Sequence, residues 1–234
     1  MKDQISLARA GPLGSWRHTL ILCAILVAIA ALGLLALQRA PSQSGASAVS
    51  GAALYLPLLA VEWALFFYVR IGLRRRGKTI RGLISARPLT LRAIAIDGML
   101  GALMVGAVLA ASHGFDLAFG PASPAGAEAL LVRQAADIPL WILLALSAGL
   151  VEELTFRGYL QRQFGALLGN RWLGALAQAI LFGVTHGYQG PALVLKIALL
   201  GMMFGALALC RRSLVPGIIA HAGVDAIGGL AAFR

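Results

Sequence analysis

Charge is what this sequence has least of. Only 12% of its 234 residues are Asp, Glu, Lys or Arg, and 59% are hydrophobic, whereas roughly a quarter of a soluble domain is charged. That excludes an ordinary water-soluble domain and points to a chain that crosses a membrane several times. Acidic residues are scarcer still, 9 against 20 Lys and Arg, for a net charge of +11. Cysteine is nearly absent. Cys23 and Cys210 both fall in apolar runs with no CxxC spacing, which excludes a disulfide framework and predicts two buried thiols. No internal repeat and no soluble domain are legible.

What is there is a series of apolar runs. Crossing the hydrocarbon takes about 20 mostly apolar residues, and such runs fall near 19–37, 52–69, 93–112, 138–155, 173–188, 191–210 and 213–233. The first follows Lys2, Arg9 and Arg17 like a signal peptide. Its apolar core is too long and no A-x-A site follows, so it reads as an uncleaved span. The sequence therefore predicts an all-α, polytopic transmembrane helical bundle of about seven spans, eight at most. It divides into an N-terminal region, 1–136, with about three spans, and a core, 137–234.

The basic residues set the expected orientation. Lys2, Arg9 and Arg17 precede the first span, and Arg70, Arg74, Arg75, Arg76, Lys78, Arg81, Arg87 and Arg92 fill the loop 70–92. Arg157, Arg162 and Arg171 follow the fourth span, and Arg211 and Arg212 the sixth. With seven spans all of these lie on one side, while the other receives Arg39, Arg133, Arg234, Asp116, Glu128 and Asp137. The positive-inside rule then places the N-terminus in the cytoplasm. Orientation accounts for the basic excess, so nucleic acid is not an expected partner, and the loop 70–92 also suits anionic head groups. Residues 40–51, PSQSGASAVSGA, read as an outer loop. Trp16, Trp63, Trp141 and Trp172 mostly fall near span ends as interfacial aromatics. Gly201 and Gly205 are spaced for close helix approach.

Ionisable side chains inside spans are costly and mark function by default. They are Glu62, Asp97, Glu152, Glu153, His186, Lys196, His221 and Asp225. In VEELTFRG, Glu153 and Arg157 are four apart with the acid first, the order that favours pairing on one helix face. Glu152 points about 100° away and is left over, which makes it the better general base. In LFGVTHG the Phe182 ring packs under His186. In HAGVD, Asp225 shares a face with His221 and suits holding its tautomer. At 1.5 Å per residue, Glu152 and His221 lie about 12–15 Å from the basic edge, so convergence is expected. Glu152, His186 and His221 form a ligand set that suits Zn2+ with one position open for water. The same residues also work without metal: a glutamate and a histidine activate water, and the other histidine with Asp225 stabilises an oxyanion. The sequence leaves both schemes open. Glu62 and Asp97 read as braces for these helices.

EELTFRG, FGVTH and HAGVD resemble the EExxxR, FxxxH and HxxxN/D motifs of the CAAX protease and bacteriocin-processing (CPBP) family of intramembrane metalloproteases, which includes the type II CAAX-prenyl endopeptidases. The resemblance covers about 137–234, with three motifs in order, each on a span. It implies an intramembrane endopeptidase in which Glu152 is the general base. His186 would help activate the water or bind metal, and His221 would be a second ligand or oxyanion donor partnered by Asp225. Glu153 and Arg157 would be the supporting pair, with the arginine free to meet a substrate carboxylate. Where CAAX endopeptidases carry asparagine, this chain has Asp225, which as a carboxylate cannot donate to an oxyanion and so favours ligation or orientation of His221, or a protonated acid.

Other membrane proteases fit badly. HExxH is missing, Gly223-Val-Asp225 is not GxGD, and Ser147 in LSAGL lacks a rhomboid's flanking glycines. A non-catalytic scaffold or a transporter with a proton relay through Lys196, Glu62 and Asp97 is the rival reading. The absence of repeat symmetry argues against transport, and the intact Glu152, His186 and His221 argue against a dead site. The expected partners are the bilayer and a protein or peptide substrate, with or without a lipid, arriving from the cytoplasm. The Ala- and Arg-rich composition suits a bacterial inner membrane.

Overall fold

The protein is described here by a computed structural model covering residues 11–39, 50–120 and 131–231. Lys2, Arg9, Glu128, Arg234 and most of the expected outer loop 40–51 lie outside the described residues. The described residues are helical and contain no extended strand. A lone bridge joins Ser85 to Ser213. In chain order the helices are α1 (Trp16–Arg39), α2 (Gly51–Arg74), α3 (Ile80–Ile84), α4 (Leu91–Phe119) and α5 (Ile138–Glu152). A π-helical segment (Glu153–Leu160) follows, then α6 (Gln161–Leu167), α7 (Arg171–Thr185), α8 (Pro191–Arg211) and α9 (Val215–Leu230).

Local chemistry sets several of these boundaries. Ser50, Thr79 and Thr90 each accept a hydrogen bond from the backbone N–H three residues on, capping α2, α3 and α4. Asn170 caps α7 through Trp172 N at 2.8 Å. Each cap satisfies an amide that the first turn leaves without a partner. Between α7 and α8 the chain turns through Gly190 at φ +104°, a conformation that favours glycine. Pro191 then opens α8, where no amide hydrogen is needed.

The architecture is a helical membrane bundle. Among the described residues, five stretches are long and apolar enough to cross a bilayer: Trp16–Ala36, Gly51–Arg74, Leu91–Phe119, Ala135–Leu167 and Ala192–Arg211. α7 and α9, both expected as spans, have 15 and 16 residues. At 1.5 Å per residue they reach only about 22–24 Å, short of a roughly 30 Å hydrocarbon core.

The segment Ala135–Leu167 runs through the middle of the bundle. α2 and α9 pack on α5, α4 packs on α9, α6 packs on α7, and α8 lies along α7. The main core joins the N-terminal region to the rest. Leu22, Leu26, Leu65, Val69 and Leu73 meet Val151, Leu154, Phe156, Tyr159 and Leu160. Gly201 and Gly205 sit where α8 crosses α7, and their carbonyls accept hydrogen bonds from Gln178 and Gln161, both at 3.1 Å.

Two expectations are corrected. Trp141 is not interfacial: it is 8% exposed and packs against Tyr55, in space that Gly229 leaves for its indole. Trp16, Trp63 and Trp172 are exposed. Cys210 is exposed rather than buried, and Cys23 is half-buried; both are free. In a bilayer a helix can present an apolar thiol to lipid, so an apolar run does not imply burial in protein.

Candidate active site

The site is organised by a change of helix type within one continuous segment. α5 ends at Glu152, and the next eight residues form the π-helical segment, every one of them buried. A π-helix bonds i to i+5 and occurs often at functional sites. Its wider coil turns each residue by less than the α-helical 100°. Glu152 is left out of the arginine pair, as the spacing expects, yet both acids reach the same histidine. Glu153 Oε1 lies 3.1 Å from His221 Nδ1, and Glu152 Oε2 lies 3.5 Å from His221 Nε2.

Glu153 has a second partner. Its Oε1 is also 3.1 Å from Arg157 Nη1, the i,i+4 pair that the spacing predicts, with both side chains fully buried. The guanidinium finds no well-aligned hydrogen-bond acceptor. Instead it lies over the rings of Phe182 at 4.2 Å and Phe204 at 5.2 Å, a favourable setting for a desolvated cation. Arg157 is 1% exposed, so the expectation that it is free to meet a substrate carboxylate is not met.

The second motif lies at the end of α7. Phe182 stacks edge-on to His186 at 4.8 Å and to His221 at 6.0 Å. His186 Nδ1 is 2.8 Å from the Phe182 carbonyl oxygen. Since that oxygen only accepts, Nδ1 carries the hydrogen and Nε2 keeps its lone pair.

The third motif, on α9, brings His221 into a ring of carboxylates. Asp225 Oδ2 is 3.6 Å from Nε2, beside Glu152. Asp225 is not the residue that fixes His221: Nδ1 is held by Glu153, an acid assigned from the sequence to Arg157 alone. Spacing within a helix shows Asp225 but not a carboxylate supplied by another helix.

Two further residues of the site were not assigned to it. Glu62, on α2, has Glu152, His221 and Asp225 in its electrostatic surroundings. Tyr188 stacks on His186 at 6.2 Å and accepts a hydrogen bond from Gln189 at 2.9 Å. Its position in the GYQ turn after the second motif was the only sequence signal for it. Asp97, by contrast, is the brace expected of it. It pairs with Arg211, lies 3.5 Å from Arg87, and accepts from Ser213 Oγ at 2.8 Å. Lys196 pairs with Asp116 at 2.8 Å, away from the site.

For a metal, the free donors are His186 Nε2, His221 Nε2 and the Glu152 carboxylate. As the side chains stand, no three His, Cys, Asp or Glu among the described residues are arranged to hold an ion. The Zn2+ set expected from Glu152, His186 and His221 is therefore not preformed. The arrangement offers a carboxylate, an imidazole with a free lone pair, and a second imidazole fenced by acids. Those are the parts of an acid–base site.

Residues 134–227 match the family model described as type II CAAX prenyl endopeptidase Rce1-like. Comparison with curated proteins and with solved structures returns no match.

Proposed function

Residues 134–227 belong to the Rce1-like family of type II CAAX prenyl endopeptidases, and from that premise we propose an intramembrane endopeptidase that hydrolyses a peptide bond by activating water between Glu152 and His186. The observation that carries this reading is the bond from His186 Nδ1 to the Phe182 carbonyl, which leaves Nε2 able to accept from water. Glu152 takes the proton, and the hydroxide adds to the scissile carbonyl. The proton passes to the leaving amine as the tetrahedral intermediate collapses. His221, held by Glu153 and flanked by Asp225, supplies the positive charge that stabilises the oxyanion. Glu153 orients that imidazole through Nδ1, and Asp225 adds negative charge beside Nε2.

The donor geometry supports the metal-free scheme. Its test is the zinc content of purified protein by mass spectrometry, with less than one equivalent expected. Stoichiometric zinc in the wild type, lost in both His186→Ala and His221→Ala, overturns it.

The substrate is a protein or peptide tail, lipidated or not, reached from the cytoplasmic side of a bacterial inner membrane. What supports that side is the basic residues gathering at one end of the bundle. Arg162 donates to the Gly82 and Leu83 carbonyls, and Arg211 meets Asp97 beside Arg87. Seven spans with a cytoplasmic N-terminus are the matching topology. Labelling of cysteines placed at Lys78 and Gly120 by an impermeant reagent tests it: Gly120→Cys should react from outside and Lys78→Cys only after permeabilisation.

A further inference from the structure

The chain between α2 and α4 is not a slack connection. Arg162 donates to the Gly82 and Leu83 carbonyls at 3.0 and 2.7 Å. Leu214 N donates to the Ile84 carbonyl at 2.7 Å, and Ala86 N to that of Arg212 at 3.1 Å. Leu83 is 2% exposed and packs where Gly158 of the π-helical segment carries no side chain. α3 is therefore stitched to α6 and to the turn between α8 and α9, and the loop forms a fixed ledge at the basic end of the bundle.

The ledge carries charge that the described residues do not answer. Arg74, Arg75, Arg76, Lys78, Arg81 and Arg92 are exposed, and none of them enters an ion pair among the described residues. Asp97, the carboxylate that follows the ledge in sequence, is fully buried and taken by Arg211, Arg87 and Ser213. Orientation in the membrane asks for positive loops, but not for a fixed backbone or for what stands beside these charges. Leu89 and Leu91, between Arg87 and Arg92, are 42% and 87% exposed. Leu91 opens α4, a stretch apolar enough to span, so the neighbour it meets is the edge of the bilayer. At the same end Trp16 and Trp172 are exposed, with Arg17 and Arg171 over their rings at 5.3 and 5.8 Å. Aromatic and basic side chains sit together in this way at head-group level. A free anion would meet the arginines and leave Leu91 in water. A ligand anionic at one end and apolar at the other uses both.

We propose that the ledge 74–92 is a binding surface for anionic phospholipid head groups, with its guanidinium groups on the phosphate and Leu89 and Leu91 against the acyl chains. Guanidinium suits phosphate because its N–H groups match two oxygens at once. Binding there is independent of the reaction at Glu152 and His186.

The test uses full-length protein in detergent micelles, titrated with phosphatidylglycerol or with phosphatidylcholine of the same acyl chains and read by native mass spectrometry. The first phosphatidylglycerol is expected to bind roughly tenfold more tightly, the size that one or two well-placed basic side chains supply. That preference should shrink between about 0.1 and about 1 M ammonium acetate, where exposed charges are screened. Arg74→Gln, Arg75→Gln, Arg76→Gln and Lys78→Gln together, which leave Arg70, Arg81 and Arg92 to orient the chain, should remove most of it. Equal affinity of the wild type for the two lipids overturns the proposal without any variant, and so does a preference undiminished by the four glutamines. Inorganic phosphate at equal ionic strength should leave the lipid bound. Displacement by phosphate would make the ledge a free-anion site, and tighter binding of poly-glutamate than of phosphatidylglycerol would make it a dock for an acidic protein; either result overturns the lipid assignment.

Discussion

The region carrying the motifs and the region preceding it handle polar groups in opposite ways. From Val151 to Gln163 almost every side chain is buried, including Glu153, Thr155, Arg157, Gln161 and Gln163, and the charges meet one another, His221 of α9, the Phe182 and Phe204 rings and the α3 carbonyls. In α1 and α4 the exposed side chains are large and apolar, among them Leu20, Leu32, Leu103 and Leu117, and they face lipid. Asp97, the buried acid of α4, lies near the basic end of the bundle beside arginines. An ionisable group is tolerated deep in a bundle where several helices enclose it. Enclosure explains why the chemistry collects around the π-helical segment and why the other helices supply the wall.

The largest effect expected from this contrast is loss of activity on changing the acid–base residues enclosed at the site. Glu152→Gln and His186→Ala are each expected to lower kcat by about 10²–10⁴-fold, the range for removing a general base, with unchanged folding in micelles. Near-normal turnover of a farnesylated peptide by Glu152→Gln would remove the base assignment.

Next in size is stability. Glu153→Ala strands Arg157 in the core, and Arg157→Ala strands Glu153. Removing one partner of a buried ion pair costs about 3–5 kcal/mol, to be read from unfolding in mixed micelles. Arg157→Ala should be the more harmful of the two, because it also empties the space between Phe182 and Phe204. Two neutral-surface-sized effects would show that the charges are solvated and the enclosure is not real.

How much of this was readable from the chain follows the same line. The i,i+4 contacts, Glu153 with Arg157 and Phe182 with His186, lie within single helices, and spacing alone shows them. The convergence of Glu152 and His221 followed from their equal depth along their helices, and the resemblance added the order of the three motifs. What spacing missed came from other helices or from departures from 3.6 residues per turn. Glu62 lies ninety residues before the first motif, and its place in an apolar run marked it only as a costly acid read as a brace. The π-helical segment has no pattern of its own, yet it decides that Glu152 and Glu153 share His221. Lipid-facing and protein-facing apolar residues look alike in sequence, which is why Trp141 and Cys210 were misplaced.

A smaller effect separates bracing from catalysis. Asp97→Asn is expected to weaken the contacts with Arg211 and Arg87 and to cost about 1.5–3 kcal/mol, the range for hydrogen bonds to charged groups. KM and kcat at a temperature where the variant is folded should stay at wild-type values. A fall in kcat without a fall in stability would move Asp97 from the wall into the site.

Glycines test the contrast at its finest scale. A Cβ added at Gly149, on α5, would lie 2.7 Å from the Ala222 amide nitrogen and 2.8 Å from its Cβ. Backbone cannot yield to it, so Gly149→Ala must push α9 away from α5 and carry His221 with it. Overpacking of that kind costs about 1–3 kcal/mol. It should also lower kcat, because the distances from His221 to Glu152 and Glu153 depend on that helix contact. On α4, a Cβ at Gly106 meets nothing within 4 Å. Gly106→Ala is expected to leave kcat unchanged and to stabilise by up to about 1 kcal/mol, since alanine is the better helix former. Equal responses at the two positions, in stability and in turnover, would mean that α5 and α9 are no more tightly engaged than α4 is with lipid.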